Sequence, residues 1–510
     1  MATCESFFNV LKRDTSKYPK FKGELYLEKH QGTYTTQSFI KKYNRQCETH
    51  LHFAEWLSTL AFLKGKEYPH DKFDEIWKEV LLYQFHDILP GSSIQRVYND
   101  CRKRYPVIEQ KINLIITDMI KFLSEEKNVL TAVNPVDFKR SGYLKLNGDW
   151  YSYDVDKYSS ALLKKAEPSK VVFAADSTIE NDVLKVTFDD KGQIVSLFDK
   201  ANDYNCVKTV FNAPNIYKDR FVHPYNAWDI DIKYTKQKPS LMKLISSKTY
   251  TDSNSAVREN IFTYGKSLLV QKIRLVENCP YVIVDNEVEW HETHKMLRMD
   301  AYPKNFCDKV LCDIQFGNIE RSTKTDNSVD YAQFEIPAHK WVDVYDGGYG
   351  VAIVNNSKYG HRVKDGLISL NCLRSPVWPD KTADRGHHSF SYAIYPHKEQ
   401  ASESQLVQVG YEFNNPIKVV KNGIKTDKII ECDSKNIIIE TIMVTRDGKI
   451  AVRLYETAGK STDTSLKLFV ESKNVSESNL IFKEEKPCDV NLMHFKPFEI
   501  KTVLIEVNKS

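Results

Sequence analysis

The 510-residue sequence predicts an α+β multidomain protein, in which an N-terminal three-helix bundle precedes large, mostly antiparallel β-sandwich domains. Two observations on periodicity predict this fold class. Apolar residues recur every three or four positions up to about residue 127, and every second position after about residue 128. A third observation is length, because a chain of this size exceeds what one hydrophobic core accommodates.

The first helix is predicted from residues that share one face of a helix. They are Phe39, Tyr43, Cys47, Leu51, Ala54, Leu57 and Ala61. The second helix is predicted over about residues 73–86 and ends at Pro90-Gly91. Three amphipathic helices joined by short connections are typical of a bundle.

The third helix opens with Ser92-x-x-Gln95, a capping-box pattern, and its apolar positions continue to Phe122. Pro106 lies inside this pattern. A proline in a helix interior removes a hydrogen bond and clashes with the preceding turn, so we expect a kink or a break there.

The remainder of the chain is predicted to be strands, because apolar and polar residues alternate there. The predicted strands cover 184–188, 194–197, 268–276, 281–290, 351–355, 437–445, 451–455 and 498–507. Turn signals at 189–192 and at Arg446-Asp447-Gly448 predict two hairpins. Strands without intervening helices indicate antiparallel sandwiches.

Composition excludes several classes of partner. A formal net charge of +4 over 510 residues is too small to predict nucleic-acid binding. No apolar run reaches the roughly 18 residues that span a membrane, and none resembles a signal peptide. The ten cysteines show no paired spacing, which predicts reduced thiols and a cytoplasmic location. A vacuolar or lysosomal location reached without a signal peptide stays open.

The string Tyr-Gln-Phe-His-Asp-Ile-Leu-Pro-Gly-Ser-Ser at 83–93 places His86 and Asp87 side by side where one helix ends. An imidazole at such a corner can bind a metal. From the residues alone, the pair is more often a cap on the helix dipole. The string resembles the middle domain of glycoside hydrolase family 38, the retaining α-mannosidases. This resemblance implies that His86 is one of four zinc ligands and that Asp87 contacts the bound sugar.

A second string, Gly-Glu-Leu-Tyr-Leu-Glu-Lys-His-Gln-Gly-Thr-Tyr-Thr at 23–35, resembles the cytosolic and vacuolar branch of that family. In the family this string closes the catalytic domain near the acid/base carboxylate. The resemblance implies this role for Glu24, with Glu28 as the alternative. Without it, two glutamates four residues apart indicate a solvated helix face. The sequence departs from the family at Gln31, where arginine is usual, and so loses a cation.

Further resembling strings lie downstream, at 217–220, 227–230, 290–295, 314–318, 338–343, 373–376, 383–388 and 452–456. The resemblance therefore covers nearly the whole chain. It implies that 1–33 is the end of the catalytic α/β domain, that 34–127 is the three-helix middle domain, and that 128–400 and 401–510 are β-sandwich domains.

The resemblance implies a zinc-dependent α-mannosidase that releases terminal non-reducing α-linked mannose from oligosaccharides. None of the 14 histidines is followed two residues later by aspartate, the pair that supplies two zinc ligands in the family's catalytic domain. We therefore expect that the chain lacks that domain and its nucleophile, and that it is inactive alone. The alternative is a non-catalytic carbohydrate-binding or scaffolding protein. The expected partners are mannose-containing oligosaccharides, and homo-oligomerisation of the full-length form stays open.

Overall fold

The computed structural model describes residues 2–169, 172–219, 225–252 and 254–507. Its helices are α1 Cys4–Lys12, α2 Ser38–Leu63, α3 His70–Tyr83, α4 Gln95–Leu123, α5 Ser328–Ala332 and α6 Leu406–Asn414. Short 3-10 helices cover Thr15–Lys17, Gln31–Tyr34 and Ile232–Lys236. Within these described ranges, no helix is long and apolar enough to cross a membrane.

The strands of the first half of the chain alternate with short turns. They are β1 Ser124–Asn134, β2 Arg140–Leu146, β3 Asp149–Val155, β4 Ser159–Leu162, β5 Lys164–Lys165, β6 Phe173–Ala175, β7 Thr178–Glu180, β8 Leu184–Phe188, β9 Ile194–Asp199, β10 Tyr204–Asn205, β11 Ala213–Lys218, β12 Ser240–Leu241, β13 Lys243–Asp252, β14 Ser255–Tyr264, β15 Ser267–Val276, β16 Val282–Trp290 and β17 Lys295–Ala301.

The second half continues in the same way. Its strands are β18 Lys309–Ile314, β19 Gly317–Ser322, β20 Ile336–Pro337, β21 Trp341–Tyr345, β22 Gly350–Asn355, β23 Gly360–Lys364, β24 Leu367–Arg374, β25 Gly386–His397, β26 Lys418–Ile424, β27 Ile430–Cys432, β28 Ile437–Val444, β29 Ile450–Glu456, β30 Thr462–Thr464, β31 Leu466–Leu468, β32 Ser472–Ser478, β33 Glu485–Pro487, β34 Met493–Phe495 and β35 Ile500–Val507.

The mostly antiparallel architecture is confirmed. The largest sheet has nine strands in the order β13-β14-β15-β16-β25-β22-β21-β18-β19, and it packs near a six-stranded sheet ordered β12-β11-β17-β24-β23-β20. A five-stranded sheet, β28-β29-β35-β32-β33, belongs to the C-terminal part. Each predicted strand segment lies on a strand, and the predicted hairpins join β8 to β9 and β28 to β29.

The helical N-terminal region is also confirmed, while its description as a separate three-helix bundle stays a prediction. Cys47, Leu51, Ala54 and Leu57 on α2 are all buried, as their spacing predicts. The core that contains them extends through α3 and α4 into β28, β29 and β35. The helices therefore share a core with the C-terminal sheet, and the strands from β7 to β25 form a second core between them in the sequence.

Two local predictions about the helices are wrong, and of the kink or break predicted at Pro106, the break does not occur. The second helix ends at Tyr83 and not near residue 86. The capping box is absent, because α4 has Ile94 at its N-cap and the Ser92 hydroxyl turns back to the Asp87 carboxylate, 3.1 Å away. No break occurs at Pro106, since α4 is continuous through it. Its apolar face is buried on both sides of the proline, and that burial outweighs the lost hydrogen bond.

Candidate functional site

The turn between α3 and α4 presents His86 and Asp87 at the surface. The imidazole of His86 is 77% exposed, and its Nε2 lies 3.3 Å from Asp87 Oδ2. The ring leans on Phe85, with 4.2 Å between ring centroids. Because the helix ends at Tyr83, both residues lie in the turn and neither is a helix cap. An exposed imidazole next to a half-buried carboxylate can bind a metal ion or a polar ligand.

Hydrogen bonds fix Asp87 from its backbone side. Its carbonyl oxygen accepts from the Ser93 hydroxyl at 2.9 Å and from the Tyr98 hydroxyl at 3.1 Å. Tyr98 is fully buried, and burial raises the pKa of its phenol, so it remains a neutral donor. The sequence analysis missed Tyr98. The sequence marks Tyr98 only by its position on the buried face of α4, which is typical of a core residue.

Glu24 lies in an irregular segment and pairs with a buried arginine of β19. Arg321 Nη2 lies 2.6 Å from Glu24 Oε1, and Arg321 Nε lies 2.8 Å from Glu24 Oε2. Both carboxylate oxygens are thus engaged in a bidentate pair. Glu28, four residues later, is exposed. The structure therefore separates the two acid/base candidates by their surroundings, and brings neither into a hydrogen bond with His86 or Asp87.

Gln31 is packed inside the molecule. Its amide nitrogen donates to the Tyr26 hydroxyl at 2.9 Å and to the Ala332 carbonyl at 2.8 Å. Burial is the main cause that raises the pKa of Tyr26. Gln31 therefore holds the Tyr26 side chain in place, while Arg321 supplies the cation that pairs with Glu24.

A buried arginine joins the segment after Gln31 to the six-stranded sheet that contains β24. Arg374 on β24 forms an ion pair with Asp219, 2.7 Å apart, and both side chains are almost completely buried. Its guanidinium also donates to Thr36 Oγ1 and to the Ala227 carbonyl, both at 3.1 Å. A side chain at Gly32 would place Cβ 2.2 Å from Arg374 Nη1, so only glycine allows this approach.

The Lys41 side chain joins Thr36, the residue that follows the first string, to the second string. Lys41 Nζ donates to the Thr36 carbonyl at 2.6 Å and to the Leu89 carbonyl at 2.9 Å. At Gly91, with φ +95°, a Cβ would lie 2.3 Å from the Thr36 carbonyl oxygen. Burial lowers the pKa of Lys41. The segment ending at Thr36 and the turn that carries His86 are therefore held in contact by backbone groups.

This region offers fewer metal-ligating side chains than a zinc site needs. A structural or catalytic zinc site takes three or four protein ligands. In the part of the chain that the structure describes, no group of three or more His, Cys, Asp or Glu side chains is placed to hold a metal ion. His86 and Asp87 alone are too few donors, so zinc does not fit the residues of this chain without others.

Three family models match successive parts of the chain. They are the alpha mannosidase middle domain over residues 28–123, the glycosyl hydrolases family 38 C-terminal domain over 179–382, and the family 38 C-terminal beta sandwich domain over 436–503. The chain belongs to glycosyl hydrolase family 38. His86 and Asp87 fall within the part that matches the middle domain of this family, whereas Glu24 precedes it.

Individual family 38 proteins resemble the chain over nearly all of its length. It is 29% identical to Alpha-mannosidase 2C1 of Homo sapiens, with 99% of this chain and 52% of that protein covered. It is 30% identical to Alpha-mannosidase of Saccharomyces cerevisiae, with 95% and 48% covered. The chain thus spans about half the length of the curated relatives it matches.

A solved α-mannosidase structure has the same fold. The crystal structure of an alpha-mannosidase from Enterococcus faecalis V583 superposes with a TM-score of 0.83 at 14% identity. The match covers 98% of this chain and 72% of that chain.

Proposed function

We propose that this chain forms the middle and C-terminal part of a zinc-dependent, retaining α-mannosidase that releases terminal non-reducing α-linked mannose from oligosaccharides. The observation that carries the proposal is the exposed His86–Asp87 pair, in the segment that matches the family's middle domain. The names of the relatives support the substrate class. The ten free cysteines support a reducing, cytoplasmic compartment.

In this proposal His86 is one zinc ligand of a site that other residues of a longer protein complete. When bound, zinc would act as a Lewis acid that binds sugar hydroxyls. Asp87 would accept a hydrogen bond from a sugar hydroxyl through Oδ2, which does not accept from Ser92 and which faces His86 Nε2. The Ser93 and Tyr98 hydroxyls would keep the backbone of Asp87 in place for that contact.

A retaining glycosidase needs a nucleophile and an acid/base about 5 to 5.5 Å apart. We propose that the segment 23–30 supplies the acid/base carboxyl, from Glu24 or Glu28. The bidentate pair with Arg321 gives Glu24 a structural function, whereas the exposed Glu28 is free to approach a sugar. The nucleophile is not assigned to this chain, and we propose that the chain alone does not hydrolyse mannosides.

The first experiment addresses Asp87 in the longer protein that carries a family 38 catalytic domain. The variant Asp87→Asn should retain zinc and lose about tenfold or more in kcat/KM for an aryl α-mannoside, because a charge-assisted hydrogen bond to the sugar is lost. The control is Asp74→Asn, which changes an exposed carboxylate that pairs with Arg446. Equal kinetics in the two variants would reject the proposed contact.

The second experiment distinguishes Glu24 from Glu28. Replacing the acid/base by glutamine should slow hydrolysis of a mannoside with a poor leaving group far more than that of a dinitrophenyl mannoside, whose leaving group needs no proton. Only one of Glu24→Gln and Glu28→Gln should show this selectivity. If neither does, the acid/base carboxyl lies outside the segment 23–30. If the isolated chain hydrolyses either substrate, the proposed dependence on a further domain is wrong.

A further inference from the structure

A cavity of about 600 Å³ lies where α2, α3, α6 and β28 meet, on the inner side of the turn that carries His86. Leu89 and Pro90 of that turn form part of its wall. Leu81, near the end of α3, also lines it and is 56% exposed, so the cavity reaches the surface there. This volume is in the range of sites that bind small molecules.

One wall of the cavity carries a carboxylate with an unused oxygen. Glu48 Oε1 accepts from Gln84 Nε2 at 2.9 Å and from Asn44 Nδ2 at 3.2 Å. Gln84 Nε2 also donates to Asn44 Oδ1 at 2.9 Å. Glu48 Oε2 has no hydrogen-bond or ion-pair partner among the described residues. The network therefore fixes the carboxylate and leaves one acceptor for a ligand.

The opposite wall repeats this arrangement on β28. Glu440 Oε2 accepts from the Tyr411 hydroxyl, and Glu440 Oε1 has no partner within the described part of the chain. Tyr411 also contacts the Tyr455 hydroxyl at 2.8 Å, so its orientation is fixed. His52 lines the cavity together with Glu48 and Glu440. Burial, the largest influence on its pKa, lowers it, but Glu55 and, to a smaller extent, Glu440 and Glu48 raise it above its ordinary value.

Aromatic rings form the less polar part of the lining. The Trp77 indole donates its N–H to Glu55 at 2.7 Å, and the Tyr158 hydroxyl donates to the Ile439 carbonyl at 2.9 Å. Because these polar atoms are engaged elsewhere, the two residues contribute mainly ring surface to the cavity. Carbon–hydrogen faces of a polyhydroxylated ring can pack on such surfaces.

The charges of the lining favour a neutral ligand. Lys41, Arg45 and Lys340 balance Glu48, Asp137 and Glu440, three basic against three acidic side chains. Arg45 donates to the Asn355 carbonyl and side chain and to the His339 carbonyl, and it is fully engaged there. A ligand with many hydroxyl donors satisfies the two spare carboxylate oxygens without adding charge.

We propose that this cavity is a second carbohydrate-binding site, which takes one or two neutral sugar residues of an oligosaccharide through hydrogen bonds to Glu48 and Glu440. It is separate from the His86–Asp87 pair. The proposal does not depend on the function assigned to those two residues, or on any metal.

The test is titration of the chain with methyl α-mannoside and with an α-linked mannobiose, with binding measured by saturation-transfer NMR. Glu48→Gln and Glu440→Gln each keep the oxygen that accepts from protein donors and replace the free oxygen by an amide nitrogen. Each should weaken binding about tenfold or more, because a charge-assisted hydrogen bond is lost. Asp87→Asn should bind like the wild type.

A matched pair of exposed leucines tests the location independently of the carboxylates. Leu81→Trp should obstruct the opening and weaken binding at least tenfold. Leu82→Trp should not, since Leu82 is 61% exposed on the same helix and does not line the cavity. Both substitutions are at the surface, so folding is expected to survive, as thermal unfolding would verify.

Several results would overturn the proposal. They are no saturation transfer to either mannoside, equal weakening in Leu81→Trp and Leu82→Trp, or unchanged binding in both glutamine variants. Binding lost in Asp87→Asn but kept in Glu48→Gln would place the sugar at the turn instead. Stronger transfer to cyclohexanol or to ethanolamine than to the mannosides would identify an apolar or a cationic ligand.

Discussion

The segment from Gln31 to Gln37 and the turn from Gln84 to Ser93 lie against each other but are built differently. The first is mostly buried and is held by side chains from distant parts of the chain, Arg374 on β24 and Asp384 in the turn before β25. The second is held through its backbone, while the side chains of His86 and Asp87 stay exposed or half-buried. The first segment is therefore structural framework, whereas the second presents chemical groups outward, to a ligand or to further protein.

The framework side of this comparison predicts the largest effect on stability. Arg374→Met should leave the Asp219 carboxylate buried and unpaired, which costs about 3 to 5 kcal/mol in the free energy of unfolding. Urea unfolding would measure it. Arg446→Met serves as control, because that arginine pairs with Asp71 and Asp74 at the surface, where a pair contributes about 1 kcal/mol or less. Equal losses of unfolding free energy in the two variants would mean that the buried Arg374–Asp219 pair contributes no more to stability than a surface pair.

A smaller loss of stability is expected at the contact between the two segments. Gly91→Ala should destabilise the chain by about 2 kcal/mol or more, since its Cβ would clash with the Thr36 carbonyl and its φ is +95°. Gly65→Ala is the matched control, with φ +88° and open space around the added carbon. It should cost only the backbone strain of about 1 kcal/mol. If both variants lose the same stability, the close contact between the segments is not formed.

The sequence predicted the helical start, the strands and the hairpins, because those features depend on local periodicity and turn residues. It did not predict that α2 shares a core with β28, since that contact joins residues far apart in the chain. The partners of Glu24 and Gln31, namely Arg321 and Tyr26, also depend on tertiary packing, so no spacing rule could identify them.

The buried framework also predicts a pH dependence. His361 on β23 adjoins Gly360, which packs against Thr35, and its Nδ1 donates to the Tyr359 carbonyl at 3.0 Å. Burial lowers the pKa of His361 to about 3. Below the ordinary pKa near 6.5, the unfolded chain takes up a proton that the folded chain does not, so stability falls as pH falls.

The change His361→Asn isolates this contribution. Between about pH 5.5 and 4, the loss of unfolding free energy per pH unit should shrink by about 1.4 kcal/mol, the value for one proton. Urea unfolding as a function of pH measures the slope. An unaltered slope in His361→Asn would show that this histidine protonates in the folded chain.

We propose that the exposed turn supplies one ligand to a metal site that other residues of a longer protein complete. The most direct measurement is zinc content per chain in the longer protein with a catalytic domain, for the wild type, His86→Ala, Asp87→Asn and the exposed control His387→Ala. We expect that His86→Ala loses zinc, because the remaining ligands bind it less tightly, and that Asp87→Asn and His387→Ala keep it. Unchanged zinc in His86→Ala would contradict the assignment of His86 as a ligand.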